Sequence, residues 1–519
     1  MNSNIIEITK PIMNIKTRQL TLVGALTSKP YAFTARSWEL KNIETIDLFD
    51  SMCSNIKVNV KGNEVLRVLP LNNNVLNEEW ISDKSRFAYD GLNRKRFINP
   101  MIKQNGLFVK SDWKNVFSFL EKNVKISKYK NIIVHTGNTT DAETLTALDI
   151  LSLKNKNVIV NPIDFNADLQ SNYSINNGIL TTLGPKIYIL VGTNMRLENP
   201  TLNIKLRKLS KQKSVLIAYI GPKNEHTIDM IHLGTNLNVL KKVLTGKHAF
   251  CRDIQTFLKR NNKNVKIFNE FKNSISLIFG NEFSQLENSN SLIKTINNLK
   301  INQVKMDVNV LTLHSGKINS LELGVYETFP TNIYEGPNIH YLLNVETTKN
   351  IDYNDFVIYQ GTHNEKIRTR CDIILPSLTW LEKSSIYINC FNMPQKTHIA
   401  TNAPKNARED WKIVKMISLW INNTTKQTLN VPFNNIDDLH NRLNNLSPNI
   451  MNSLSLFKNL QTFKATLNKN FITHINFNFS NIKSFISNFY QMTSVEKNSK
   501  IMKECANTIN IKKNNFFKN

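Results

Sequence analysis

His248 and Cys251, set together in HAFC, are the residues best suited to nucleophilic or metal chemistry. There an imidazole could serve as base to a thiol or share a metal with it. No second pair stands nearby, so the simpler reading is a buried thiol beside a surface imidazole. His226 and His232 read the same way. The five cysteines, Cys53, Cys251, Cys371, Cys390 and Cys505, are far apart, odd in number and without any C-x-x-C. Such spacing encodes neither a zinc ribbon nor a cysteine-rich cluster site and fits free thiols in a reducing compartment. Phosphate binding is poorly provided for as well. Neither G-x-G-x-x-G nor G-x-x-x-x-G-K-[ST] occurs, and glycine supplies 16 of 519 residues, against a usual share of about 7%.

Any site must be carried by the elements around these residues. NIKVNVKGNEVLRVLP alternates apolar and polar side chains on both sides of Gly62, which predicts a hairpin in a small β-rich unit. DWKNVFSFLEKNV places Trp113, Val116, Phe117, Leu120 and Val124 on one helical face, with Ser111 available as N-cap. Beyond it the texture becomes strand, loop, helix. NIIVH (131–135) leads through Thr136, Gly137 and Asn138 to a helix in which Thr140 and Glu143 have capping-box spacing. NVIVN, KIYILVG, SVLIAYIG, DFVIYQG and CDIILP are further buried runs, most ending at Gly or Pro. Parallel sheets covered by crossover helices follow. Residues 261–305 carry weaker signals, EKIRTR (365–370) reads as a solvated loop or a contact surface, and 421–519 is Asn-rich with helical stretches.

The formal charge of +26 raises the question of a polyanion partner. Lysine is scattered beside Asn and Ile rather than gathered in a stripe, so compositional drift toward A- and T-rich codons explains it and no nucleic-acid partner is expected. No apolar run reaches the roughly 20 residues of a membrane span. The first 20 residues lack an apolar core, which predicts no signal peptide.

Five strings are more specific: VGALTSKPYAFTARSWEL, NEEWISDKSRFAYDGLNRKR, LVGTNMRLENPTLN, DIILPSLTWLEKSSIYIN and AREDWKIVK. They resemble the C-terminal half of the large iron-sulfur subunit of respiratory complex I, NADH:ubiquinone oxidoreductase, the half related to molybdopterin oxidoreductases. The resemblance runs from about residue 22 to FYQMTSVEKNSKIMKEC, with a poorer middle between about 255 and 335. It implies an α/β, molybdopterin-oxidoreductase-like fold of mostly parallel sheets flanked by helices, with a small β-rich N-terminal unit and a helical C-terminal tail. The division expected is a junction segment (1–40), the β-rich unit (41–100), the α/β domain (101–420) and the C-terminal helical segment (421–519).

In the family the opening string carries a cysteine that is the last ligand of a four-iron cluster; Thr21 stands at that position. A hydroxyl is a poor ligand there, and Cys53 alone cannot hold the extra cluster of some bacterial relatives. Asn389 to Gln395 replace the family's Asn-Thr-Glu-Gly-Arg-Ala-Gln, eroding the pterin approach. The expectation is therefore a non-catalytic scaffold in the mitochondrial matrix arm, organelle-encoded, with no cofactor in this chain. Its partners would be a separate iron-sulfur half and other complex I subunits. Lys29, Tyr31, Arg36 and Trp38 are the candidate junction residues, the alternative being that they pack within the chain. The rival function is an active molybdopterin-dependent oxidoreductase of the formate-dehydrogenase kind.

Overall fold

The computed structural model describes residues 28, 30–155, 157–163, 173–175, 187–223, 227–244, 246–261, 275–280, 306–328, 336–346, 351–363, 366–425, 433–448, 450–451 and 488–516. Lys41–Ile46 (β1), Asn55–Lys61 (β2) and Glu64–Pro70 (β3) form an antiparallel sheet in that order. The expected hairpin is present, with Gly62 at φ +62° in its turn, a conformation that costs glycine nothing. Its inward side chains Val58, Val60 and Val68 share one core with Leu48, Phe49, Phe489, Tyr490, Val495, Met502 and Ala506. Chain segments near positions 50 and 500 thus build one hydrophobic unit. The Asp90 carboxylate joins them too, accepting from Ser499 Oγ and, at 2.9 Å, from the Lys500 amide at the start of the Lys500–Phe516 helix.

A seven-stranded sheet follows. From one edge to the other it comprises Leu107–Lys110 (β5), Met101–Gln104 (β4), Ile373–Pro376 (β17), Phe356–Gly361 (β16), Ile339–Leu343 (β15), Ile132–Thr136 (β6) and Val158–Val160 (β7). The last five are mutually parallel, and β4 and β5 add an antiparallel hairpin. Runs such as Val158–Val160, with every residue buried, suit strands covered on both faces. Pro162–Ile163 (β8) pairs in parallel with Glu327–Thr328 (β14). A second sheet, wholly parallel, contains Ile231–Gly234 (β11), Leu216–Ile220 (β10), Ile187–Val191 (β9), Ile275–Phe279 (β12) and Met306–Val310 (β13), in that order. Ile386–Ile388 (β18) and Pro394–Lys396 (β19) form a short antiparallel ribbon.

Two caps differ from expectation. The helix Trp113–Asn123 has Asp112, not Ser111, as N-cap, because the Asp112 carbonyl accepts the first helical bond, from the Val116 amide at 3.0 Å, while the Ser111 amide bonds Pro100 O at 2.9 Å and extends the β4–β5 ladder. The helix Ala142–Lys154 is capped by Asp141, which accepts from the Thr144 amide at 2.8 Å. Thr140 instead donates to Gly137 O, and Glu143 accepts from the Ile386 amide. Residues 142–148 of this helix are all buried, between the sheet and the helices Ser315–Glu322, Asp410–Thr425 and Ile436–Leu446.

Candidate functional site

An open parallel sheet binds ligands outside the carboxyl ends of its strands, where strand order reverses. In the seven-stranded sheet the chain goes from β6 outward to β7 and from β15 the other way to β16 and β17, so the reversal lies between β6 and β15. It is closed by backbone: a Cβ added to Gly137, just past β6, would lie 1.8 Å from Asn344 O, just past β15. The cavity left at these strand ends measures about 30 Å3, lined among others by Thr139, Asn344, Glu346, Lys383, Tyr387 and Ser494. That is room for about two or three waters, where cofactor pockets run to hundreds of Å3. The second sheet reverses between β9 and β12 and is closed likewise, since a Cβ on Gly280 would lie 2.4 Å from Thr193 Cβ and 2.6 Å from Gly192 O.

Charge fills the first crevice. Lys383, 3% exposed, donates to Asp141 and, at 2.5 Å, to Asp410. Asp410 also accepts from Gln360 Nε2 at 2.7 Å, and Gln360 accepts from the Tyr341 hydroxyl. Burial pulls the Lys383 ammonium down, but the two carboxylates outweigh it and hold its pKa well above the usual value. Alongside, Arg96 makes a two-pronged pair with Glu382, whose Oε2 also accepts from the Thr379 amide at 3.0 Å. Every charge here is answered by another group of the chain. The arrangement can fix the strand ends in place, its charged groups pairing with one another among the described residues.

Beneath the small sheet lies a second buried cluster. Lys84 Nζ donates to Phe49 O at 2.8 Å, stands 3.5 Å from Glu496 Oε1 and sits 4.8 Å from the centre of the Phe489 ring. Asp47 accepts from the Phe49 amide and the Ser85 hydroxyl. Burial, then the neighbouring Asp50 carboxylate, lifts Asp47 to about 7 from the ordinary 3.8. Between those two values the unfolded chain has lost the proton that the folded chain keeps, so this group's contribution to stability falls as pH rises through the window and levels off above 7. Asp47→Asn removes that penalty. Its stability relative to wild type should climb by up to about 1.4 kcal/mol per pH unit between pH 4 and 7, read from urea midpoints; a pH-independent difference would contradict the assignment.

Of the residues singled out by sequence, Thr21, Lys29 and His226 lie outside the described residues. Tyr31 is half-buried, its hydroxyl bonded to Ala35 O at 3.0 Å and its ring 4.6 Å from the Arg67 guanidinium. Arg36 is exposed, and Trp38 is 79% exposed. Phe33, which sequence reasoning passed over, is fully exposed and holds a left-handed φ of 63°. His248 and Cys251 do not act on each other's side chains: His248 Nδ1 accepts from the Phe250 amide, and Cys251 Sγ faces Val243 O. His232 Nε2 is bonded to Gly221 O at 2.9 Å, a structural role. In the 365–370 stretch, Arg370 donates to Asp355 O and Arg368 lies over Phe108. Among the described residues no three His, Cys, Asp or Glu side chains converge to hold a metal.

The model of the molybdopterin oxidoreductase family matches residues 96–419. The chain is 33% identical over 515 residues to the NADH-ubiquinone oxidoreductase 75 kDa subunit of Reclinomonas americana, covering 93% of this chain and 71% of that protein. The chain belongs to this family. It is 31% identical to the mitochondrial NADH dehydrogenase [ubiquinone] iron-sulfur protein 1 of Solanum tuberosum over 93% of this chain, but spans only 64% of that protein. To the 78 kDa subunit of Candida albicans it is 32% identical, covering 94% of this chain and 67% of that one. The fold is also that of acetylene hydratase from Pelobacter acetylenicus, with a TM-score of 0.52 and 12% identity, covering 80% of this chain and 73% of that one.

A second family model, for the NDSU1/NuoG-like 4Fe-4S domain, matches residues 40–90. It stands against the expectation that this chain carries no cofactor. A four-iron cluster takes four thiolates, whereas the matched residues contain one cysteine, Cys53. That thiol is fully buried, and burial, then the Asp50 carboxylate, pushes its pKa well above the usual thiol value. The 75 kDa-subunit family's 4Fe-4S domain is thus retained here in outline, while the residues present do not fit a cluster. Nor do the closed strand ends fit the pterin that the family name implies.

Proposed function

We propose that the chain is a non-catalytic structural subunit of a mitochondrial NADH-ubiquinone oxidoreductase, acting in the matrix arm. It would brace neighbouring subunits and dock a polypeptide that carries iron-sulfur clusters. The likeness to the 75 kDa subunit over 93% of this chain carries this reading, and the closed strand ends support a scaffold over an enzyme. The electron transfer from NADH to ubiquinone belongs to the assembly. Its docking surface includes Arg36 and Trp38, joined by Phe33; Lys29 belongs to the same segment, and Tyr31 anchors it to the chain through Arg67. Solvent-exposed aromatics and arginine beside each other are the usual anchors of an interface.

Native electrophoresis of mitochondrial membranes followed by mass spectrometry tests this. The chain should migrate with other NADH-ubiquinone oxidoreductase subunits, and Phe33→Ala with Trp38→Ala should lower the incorporated fraction about tenfold, the effect of losing one modest anchor of about 1.4 kcal/mol. A chain that migrates alone, or that carries molybdenum or tungsten with pterin after purification, would overturn the reading.

A further inference from the structure

Among the described residues, no strand covers the outer edge of the seven-stranded sheet. Asn105 and Gly106, at φ 50° and 80°, turn the chain between β4 and β5, and the pairs Gln104–Leu107, Lys103–Phe108, Ile102–Val109 and Met101–Lys110 face one another. In a two-residue hairpin the closing pair is hydrogen-bonded and the pairs then alternate. The backbone groups of Leu107 and Val109 therefore turn toward β4, and the Ser111 amide continues the pattern to Pro100 O. Those of Phe108 and Lys110 turn outward, and among the described residues no strand lies beyond β5.

Native edges are usually blunted by shortness, an edge lysine, proline, a bulge or an inward charge; β5 is four residues long and ends in Lys110, but it holds no proline and no bulge, and its register is unbroken. Leu107 is 74% and Val109 47% exposed. On the opposite face the Arg368 guanidinium lies 5.5 Å from the centre of the Phe108 ring. Lys110 stands next along the strand, exposed. Among the described residues neither cation has a carboxylate partner.

We propose that this edge receives an extended segment of a partner polypeptide in the same assembly, added as a further strand. Its side chains on one face would be apolar, lying over Leu107 and Val109. Those on the other would be acidic, meeting Lys110 and Arg368. A second copy of this chain is disfavoured because it would bring the same two cations to the seam, on a chain of net charge +26. Backbone pairing supplies affinity in such strand addition, and the alternating side chains supply selectivity. The proposal rests on the chain being a subunit of the assembly, but uses a surface remote in sequence from residues 33–38.

Hydrogen exchange resolved to single amides, compared between the purified full chain and the intact assembly, tests it. The Phe108 and Lys110 amides should exchange about 100-fold more slowly in the assembly, while Val109, bonded to β4, is slow in both. Equal exchange of Phe108 and Lys110 in the two samples overturns this inference and leaves the subunit reading standing; absence of the chain from the assembly sinks both. Slowing in the purified chain that grows with its concentration would assign the edge to a second copy and overturn the proposal. Lys110→Pro removes an outward N–H at a position where an edge strand tolerates proline. It should lower the assembled fraction about tenfold, a loss of about 1.4 kcal/mol, with the unfolding midpoint of the purified chain unchanged. An unaltered assembled fraction overturns the proposal.

Discussion

Lys383→Ala is expected to destabilise the folded chain by about 3–5 kcal/mol, the cost of leaving buried charge without its counter-charge. Asp141 and Asp410 both point at Lys383 Nζ, and all three residues are almost wholly buried. Without the ammonium, two carboxylates share a site from which water is nearly excluded. One of them must then take up a proton or the site must open. The neutral triple variant Lys383→Met, Asp141→Asn, Asp410→Asn should recover most of the loss, since replacing a buried ionic group whole is far cheaper than breaking it. Asparagine at 141 also keeps a competent cap for the Ala142–Lys154 helix. Urea midpoints of the three proteins decide the matter. A Lys383→Ala variant within about 1 kcal/mol of wild type would mean that solvent already reaches the site and the network is not a closing device.

Gly137→Ala should be at least as damaging, with a loss of about 3 kcal/mol or more, or failure to accumulate as soluble protein. The new methyl would lie 1.8 Å from Asn344 O and 2.3 Å from its carbonyl carbon, and backbone on both sides leaves little room to give. The Gly137 amide also bonds Leu343 O at 2.7 Å, so moving it breaks the seam between β6 and β15. Gly106→Ala is the control. There nothing lies within 4 Å of the added methyl, and the only cost is the left-handed φ of 80°, about 1 kcal/mol. Equal midpoints for the two variants would show that the strand ends at β6 and β15 can part.

The parallel strands were legible because runs such as IYILV and IILP are apolar throughout and stop at glycine or proline, a pattern fit for strands buried on both faces. Ile339–Leu343 escaped because His340 and Tyr341 interrupt the run. Both are nonetheless buried, with His340 Nε2 against Asp355 at 3.2 Å and the Tyr341 hydroxyl on Gln360. The β4–β5 hairpin carries a local signal, Asn-Gly between MIKQ and LFVK, weakened by the polar Lys103 and Gln104 before the turn. The Lys383 cluster had no local signal. Its carboxylates lie 242 and 27 positions away, and only the return of the chain to one crevice makes them neighbours. The long family strings conveyed the fold and its lineage, but not that Gly137 and Asn344 shut the space between them.

The small sheet has a consequence for how the chain is made. Asp90 and Ser499 are 409 positions apart, yet they close the same unit, whose core needs Val495, Met502 and Ala506 as well as Val58 and Val68. At about 5–20 residues per second, a ribosome takes on the order of 20–80 s to span that interval. Trp380, Leu381 and Tyr387 can cover part of the apolar face of β1–β3 before then, but the cover from residues 489–506 is missing throughout. A unit begun at β1 is completed only by residues near position 500, and until then its solubility depends in part on whatever shelters nascent chains.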